Sequence, residues 1–526
     1  MNCLFSLCFF HSMHNPKPIS KGPISAGKIA GIFAGPLVFL IIIIFFRLDP
    51  DRPVITFTFA AAIWMAVWWI SEAVPLAITS LLPVVLFPLL GIMDGKAVSS
   101  TYFNHVIFLF IGGFIVALAM QKWNLHKRIA LKILMVTGIG PGRILFGFMA
   151  ATAFLSMWIS NTATTMMMVP ILISIIAKLE EIIGKTEVQK YSIGLLLGVA
   201  YSASIGGIAT LVGTPPNLSF ARIFQIMFPQ APEISFAEWF FFALPVSLLF
   251  FAIVWGYLYA VFRPGGDSWR SLKAASFREQ YQLLGRMGFE EKVILIDFVL
   301  LSLLWLTRSD IVLGGFVIPG WSGIFRDPEF INDGTVAIML SIPLFFIPSK
   351  SQKGSFIMDW KYASQLPWGI VLLFGGGFAL ASGFKESGLS IWFGEQLSWV
   401  GVYHPLLIIF IIALMMTFLT ELTSNTATTE MLLPVLAGLA AATEFNPLLL
   451  MIPATLSGSM AFMLPVATPP NAIIFGTGRL KVKQMAKNGL LLNLIGAVVI
   501  SLATYYYGRY IFNISLDGLP NWAIIQ

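Results

Sequence analysis

The chain has 526 residues, of which 57% are hydrophobic and only 11% charged, with 46 Phe and 15 Trp. Soluble proteins carry about 25% charged residues, so this composition excludes a soluble globular protein and predicts an all-α membrane protein; a β-barrel would show short alternating segments instead. The net charge of +7 could suit nucleic acid, but the placement of the basic residues assigns it to membrane orientation, with no nucleic-acid partner.

A tail, 1–28, comes first and holds both cysteines, Cys3 and Cys8. Two cysteines build no disulfide framework and no metal-ligand spacing. The tail's apolar patch lacks a preceding basic region and a small-residue cleavage site, so it reads as a cytosolic tail rather than a signal peptide. The first transmembrane helix lies in 29–53. Further apolar spans follow at 54–71, 75–92 and 104–121, the last containing Gly112-Gly113, and then a basic amphipathic piece from Lys122 to Lys132. Segment 143–178 is apolar but broken at its middle by Ser160-Asn161-Thr162. Its halves are short for full spans, which predicts a re-entrant hairpin with its tip at that motif. The fifth span, 190–225, is broken at Gly213-Thr214-Pro215-Pro216-Asn217, where two prolines forbid a continuous helix. A sixth span, 238–262, leads to a basic linker, 263–292.

The second half repeats this order. Spans at 293–307, 332–348 and 367–383 precede a second hairpin, 404–440, and a helix within 446–478 broken at Ala467-Thr468-Pro469-Pro470-Asn471. A last span, 489–511, leads to a tail, 512–526. Ser160-Asn161-Thr162-Ala163-Thr164-Thr165 returns letter for letter as Ser424-Asn425-Thr426-Ala427-Thr428-Thr429, 264 positions later, and Gly112-Gly113-Phe114 returns as Gly376-Gly377-Phe378 at the same offset. With about 11 transmembrane helices, two re-entrant hairpins and the amino terminus inside, 24 of the 32 Lys and Arg fall in inner segments. The carboxy terminus is then outside. The hairpins enter from opposite faces, so the repeats 54–262 and 293–511 are inverted.

Inverted repeats with discontinuous helices near the midplane are the sequence mark of a transporter's substrate site. Ser, Thr and Asn offer neutral oxygens, and the broken helices free backbone carbonyls, a hard-cation environment suited to sodium. Ser156 and Ser160 are four apart, which places them on one helical face with Asn161 beside them, and Thr420 and Ser424 repeat the spacing. Each tip also presents the amino end of a returning half-helix, starting near Thr162 and Thr426, to an anion. No Lys, Arg or His stands at either tip. An anionic substrate there needs co-bound cations to offset its charge. A packing role for such small-residue motifs is the ordinary alternative, but the duplication of both hairpin and break weighs against it.

On these four motifs the chain resembles the divalent anion/sodium symporter family, which includes bacterial sodium-coupled dicarboxylate transporters and mammalian dicarboxylate and citrate carriers. The resemblance spans nearly all of the sequence after about residue 29. It implies one sodium site at Ser156, Ser160, Asn161 and Gly213, and a second at Thr420, Thr423, Asn425 and Ala467. It implies that Asn161, Thr162, Asn425 and Thr426 meet the substrate carboxylates, with Thr214, Pro215, Thr468 and Pro469 shaping the pocket. It further implies sodium ions as coupling ions with no other cofactor, a homodimer in the lipid bilayer, an elevator mechanism and, for a bacterial member, the cytoplasmic membrane. Gly-Thr-Pro-Pro-Asn at 213–217, as in bacterial dicarboxylate members, leans towards succinate, malate and fumarate.

Asp297 lies inside the seventh span, where an ionisable group is a functional candidate, although its place near the cytosolic end suits a structural role better. Glu421 and Glu430 flank the second tip and have Met157 and Met166 as counterparts in the first; hydrogen bonding to backbone is expected of Glu421. His105 and His404 read as interfacial. A sodium-independent exchanger or a sulfate transporter of the same fold is the near alternative, and a passive anion channel the alternative of a different class. No nucleophile, base or metal set supports an enzyme.

Overall fold

The computed structural model describes residues 26–138, 140–264, 275–313, 316–516 and 518–523. Most of the amino-terminal tail, with Cys3 and Cys8, the middle of the basic linker and the last three residues lie outside the described residues.

Among the described residues, six helices are long and apolar enough to cross a bilayer: Ala26–Phe45, Pro53–Ser71, Gly95–Lys122, Phe236–Phe262, Trp368–Ser387 and Val482–Ile511. Further apolar helices among the described residues are shorter, of 10–17 residues. The span expected at 75–92 is two pieces, Leu76–Thr79 and Leu82–Leu89, separated by a turn at Ser80-Leu81. The expected eighth span is Asp333–Ser341 continued by one 3-10 turn, Ile342–Phe345. The chain is mostly helical, as expected, and the stretch after the seventh span adds only a small antiparallel ladder pairing Ile311–Leu313 with Phe316–Ile318.

Both hairpins form. The first has arms Pro141–Ser156 and Asn161–Ile183, the second Pro405–Thr420 and Asn425–Ala442. In each, proline opens the incoming arm, where its missing N–H costs nothing. Each incoming arm has 16 residues, about 24 Å of helix, short of a hydrocarbon core of about 30 Å. The breaks fall where the prolines stand: Lys185–Gly207 resumes as Pro215–Met227, and Leu448–Ser457 resumes as Pro469–Phe475. The second break is the longer of the two.

Polar contacts at the helix ends fall into two groups. One contains Lys122–Asp359 at 2.7 Å, Arg128–Glu291 at 2.9 Å and the Glu180–Arg479 pair. The other contains Arg308–Asp333 at 2.6 Å, and Asp333 also accepts the Phe236 backbone N–H. Helix Phe289–Leu306 begins in the first group and ends in the second, so its 18 residues set the groups about 27 Å apart. The first hairpin opens beside Glu180 in the first group. His404, which starts the second hairpin, stacks near Tyr505 at the far end of the helix that begins beside Arg479. The hairpins therefore enter from opposite ends.

Two apolar clusters fill the interior. The larger runs through both hairpins and both broken helices; the smaller joins the first two long helices to Phe87, Leu380 and Phe384. The repeats interlock. The returning arm of each hairpin packs on the resumed half of the other repeat's broken helix, and the Tyr201 hydroxyl, before the first break, donates to the Phe462 carbonyl in the second at 2.9 Å.

Candidate functional site

At the first tip the incoming helix ends at Ser156 and the returning helix begins at Asn161. The fully buried Ser156 hydroxyl donates to Asn161 Oδ1 at 2.6 Å. Ser156 and Ser160 therefore do not share a helical face, as their spacing alone suggested. The turn intervenes, and Ser160 instead caps the returning helix by accepting the Ala163 N–H at 3.3 Å. The second tip repeats the arrangement. Thr420, fully buried, hydrogen-bonds Asn425 Oδ1 and lies 2.9 Å from the Gly458 carbonyl of the second break. Ser424 makes no side-chain cap, so the first N–H groups of that 18-residue helix are left to other partners. Thr423 turns away: its hydroxyl donates to Leu419 O at 2.7 Å and meets Thr428 Oγ1. No contact brings it to the Thr420–Asn425 pair.

The breaks close onto these tips. Gly207 abuts Asn161 Oδ1 closely enough that a Cβ would clash, and Gly213 in turn abuts the Gly207 carbonyl. Asn161, Gly207 and Gly213 thus form one continuous contact. The Thr210 hydroxyl donates to Met157 O at the tip and receives the Gly213 N–H at 3.0 Å. Two residues quoted above only as parts of a motif prove to hold the breaks together. Asn217 Nδ2 donates to the carbonyls of Thr210 at 2.7 Å and of Gly207 and Ile208 at 3.3 Å. Asn471 Nδ2 donates to Leu464 O and Ala461 O, each at 3.0 Å. The partners lie seven and ten residues back in both repeats, so each Asn acts as a clamp across its break. Gly207, Thr210 and Gly458 gave no signal in the sequence, because what marks them is a neighbour distant in the chain.

The freed carbonyls are thus largely committed. Ile208 O also accepts Trp239 Nε1 at 3.0 Å, and Ile205 O accepts the Ser247 hydroxyl at 2.7 Å. A carbonyl oxygen has a second lone pair, so a cation can still share these groups. Thr214, Thr426, Ala467 and Thr468 are buried, Thr162 and Pro215 half-buried, and Pro469 is exposed at the edge. Thr468 accepts the Asn471 N–H at 3.3 Å, whereas Thr214 makes no such cap.

Glu421 is tied as expected: its carboxylate accepts the backbone N–H groups of Met463 and Leu464 at 2.8 and 2.9 Å and Asn493 Nδ2 at 2.7 Å. Asp297 is buried with one oxygen unpartnered among the described residues. His105 starts helix His105–Lys122, and Gly334, next to the buried Asp333, packs on its carbonyl.

Beside the first tip a cavity of about 760 Å³ lies between the returning arm, helix Leu125–Thr137 and helix Ala275–Leu283. Ile159, Ala163, Thr164 and Met166 line it from the hairpin, and Asn124, Lys127 and Gln280 are among its other lining residues. No cluster of three or more His, Cys, Asp or Glu that could hold a metal occurs among the described residues. The chemistry on offer is binding by neutral oxygens and helix ends.

Known proteins agree with this architecture. Residues 31–514 match the family described as the sodium:sulfate symporter transmembrane region. The chain is 44% identical to the sodium-dependent dicarboxylate transporter SdcS of Staphylococcus saprophyticus over 494 residues, covering 92% of each chain, and to that of Staphylococcus aureus over 514 residues, covering 95% of each. The structure is similar to Neisseria gonorrhoeae MtrF, of a class of antimetabolite efflux pumps, with a TM-score of 0.53 at 12% identity over 83% of this chain and 87% of that one. It is also similar to the Alcanivorax borkumensis YdaH transporter, with 0.52 at 13% over 80% and 88%; these two likenesses show the fold alone. With its long apolar helices, its duplicated hairpins and breaks, and relatives that are transporters rather than enzymes, the chain belongs to the sodium:sulfate symporter family of integral membrane transport proteins.

Proposed function

We propose that the protein carries four-carbon dicarboxylates, succinate, malate and fumarate, by sodium-coupled symport. The observation that carries this reading is the pair of equivalent, charge-free contacts, Ser156–Asn161 and Thr420–Asn425, each docked on its own helix break. Ser156, Ser160, Asn161 and Gly213 would hold one sodium, and Thr420, Thr423, Asn425 and Ala467 the other, Thr423 after its hydroxyl leaves Thr428. Asn161, Thr162, Asn425 and Thr426 would meet the carboxylates through amides and helix N-termini. Thr214, Pro215, Thr468 and Pro469 would line the pocket. With no basic side chain at the tips, two bound cations are what offset the two charges of the substrate. The SdcS relatives, named sodium-dependent dicarboxylate transporters, support the reading.

On its basic residues we assign the end group containing Arg128, Lys122 and Arg479 to the cytosol, which would make the 760 Å³ cavity an inward-facing vestibule. We place the protein in a bacterial cytoplasmic membrane, with about eleven spans, the amino terminus inside and the carboxy terminus outside, as a homodimer. Its scaffold would stay fixed while hairpins and broken helices move as an elevator. The repeats 54–262 and 293–511 would be the two inverted units.

Uptake into proteoliposomes tests this. Succinate should accumulate only with an inward sodium gradient, and Asn161→Ala and Asn425→Ala should each abolish accumulation in protein that still folds. Succinate counterflow without sodium would establish an exchanger instead. The family's sulfate designation favours sulfate as a second substrate, which competition against labelled succinate would reveal.

A further inference from the structure

The two returning arms share a sequence but not an environment. In the first, Met166, Pro170 and Ser174 form an exposed stripe, one helical turn apart, along the vestibule. Their counterparts at the 264-residue offset are Glu430, Pro434 and Gly438, and all three are buried. The wall opposite has closed on them. Gly438 has no room for a Cβ against the Ser390 carbonyl of helix Leu389–Leu397, which corresponds to the vestibule-lining helix Leu125–Thr137. One repeat is thus open at its hairpin and the other shut. Inverted repeats exchange such arrangements when the site changes sides: the vestibule beside Met166 shuts, and a matching one opens beside Glu430 on the outer face.

In the exchanged arrangement Glu430 would meet outer water. In the state described it is 0% exposed. One carboxylate oxygen accepts the Ser219 hydroxyl at 2.8 Å, and the other, Oε2, has no hydrogen-bond partner. Oε2 faces Gly377 of helix Trp368–Ser387, at a contact too close for a Cβ. No Lys, Arg or His among the described residues acts on it, and Tyr102, whose phenol donates to Ser80 O, is the titratable group that senses it. Burying a carboxylate with neither a partner charge nor its full set of hydrogen bonds costs several kcal/mol. Ser219 alone is too sparse an oxygen shell for a metal ion.

We propose that Glu430 takes up a proton from the outer solution and crosses to the inward-open conformation neutral, so that each inward passage of the carrier carries a proton on Glu430 besides its substrate and sodium. The bond formed is O–H on Oε2 from an outer hydronium ion. It breaks when the returning carrier brings the group back to outer water, so the proton goes back to the side it came from and no net proton crosses. This inference rests on the alternating-access reading of the transporter, but its test does not depend on which anion is carried.

The test is a conformational one. In protein with Cys3→Ser and Cys8→Ser, a reporter cysteine replaces Met166, 50% exposed on the open vestibule, and its rate of labelling reports the inward-open fraction. Because the inward-open state binds the extra proton, that fraction should be high at low pH and fall as pH rises, by up to about tenfold per unit. Glu430→Gln keeps the acceptor for Ser219 and removes the titration, so its labelling should stay high and level with pH. Equal pH profiles in the two proteins would overturn the proposal. Absence of sodium-driven succinate uptake with a pH-dependent reporter intact would instead overturn the substrate reading alone.

Discussion

Replacing Asn217 by Ala tests whether the breaks are held open by side-chain clamps. Asn217 is fully buried, and its amide N–H groups serve the carbonyls of Gly207, Ile208 and Thr210. Ile208 O keeps Trp239 as a donor and Thr210 O keeps a long bond of 3.4 Å from the Gly213 N–H, so truncation orphans one carbonyl, that of Gly207, and leaves Thr210 O weakly paired. A buried, unpaired carbonyl costs about 1–3 kcal/mol, which is the loss expected before any cavity is counted. The damage falls on Gly207 and Gly213, the residues in contact with Asn161, so sodium dependence should suffer along with stability. Purified Asn217→Ala should melt below the wild type and need more sodium for half-maximal uptake. Asn217→Asp keeps the volume but turns the donor into an acceptor facing carbonyls, and should be worse than Ala. By the same geometry Asn471→Ala should act on the second site. If Asn217→Asp melts and transports like the wild type, Asn217 is filling space and the clamp argument fails.

Other expectations follow from single contacts. Glu290, at the linker edge, carries a carboxyl at about 2 against an ordinary 4.5: burial alone would raise it, but the Ser351 N–H and the Ser349 and Ser351 hydroxyls outweigh that. The stabilisation, about 1–3 kcal/mol after allowing for solvent screening, is full above the unfolded value of 4.5 and lost as pH falls towards 2. Melting curves of wild type and Glu290→Gln should therefore differ at neutral pH and converge in acid. Arg128 holds Glu291 with two hydrogen bonds of 2.9 Å, both side chains nearly buried. Removing either partner should cost about 3–5 kcal/mol and removing both less than the sum, which a double-mutant cycle in melting will show; strict additivity would mean no coupling. Gly207→Ala drives a Cβ into Asn161 Oδ1 and should impair sodium-dependent uptake more than it lowers melting, whereas Gly256→Ala, with open space around it, should change neither.

Much of this protein was legible in its letters because local chemistry fixes it. Prolines at 141, 215, 405 and 469 set helix starts, Ser-Asn-Thr ends the hairpin arms, and a stretch of 16 apolar residues is too short to cross. The short spans were harder to read: the helix expected at 75–92 breaks at Ser80-Leu81, where Pro83 cannot bond the Thr79 carbonyl four residues back. Spacing also misplaced Ser160, since a four-residue interval means one face only while the helix continues, and here it stops at Ser156.

What the sequence by itself determined is therefore the inventory: two hairpins, two breaks, neutral oxygens at each, and a 264-residue repeat that pairs them. Only the tertiary structure decided what each copy does. Asn217 and Asn471 became clamps because carbonyls seven and ten residues back fold against them. The identical Ser-Asn-Thr-Ala-Thr-Thr segments lead into arms that line an open vestibule in one repeat and press against Ser390 and Gly377 in the other. The reason is physical. Letters within one arm specify a helix and its faces, but how far that helix stands from the wall opposite is a rigid-body relation between elements distant in the chain, and it differs between two copies of the same motif.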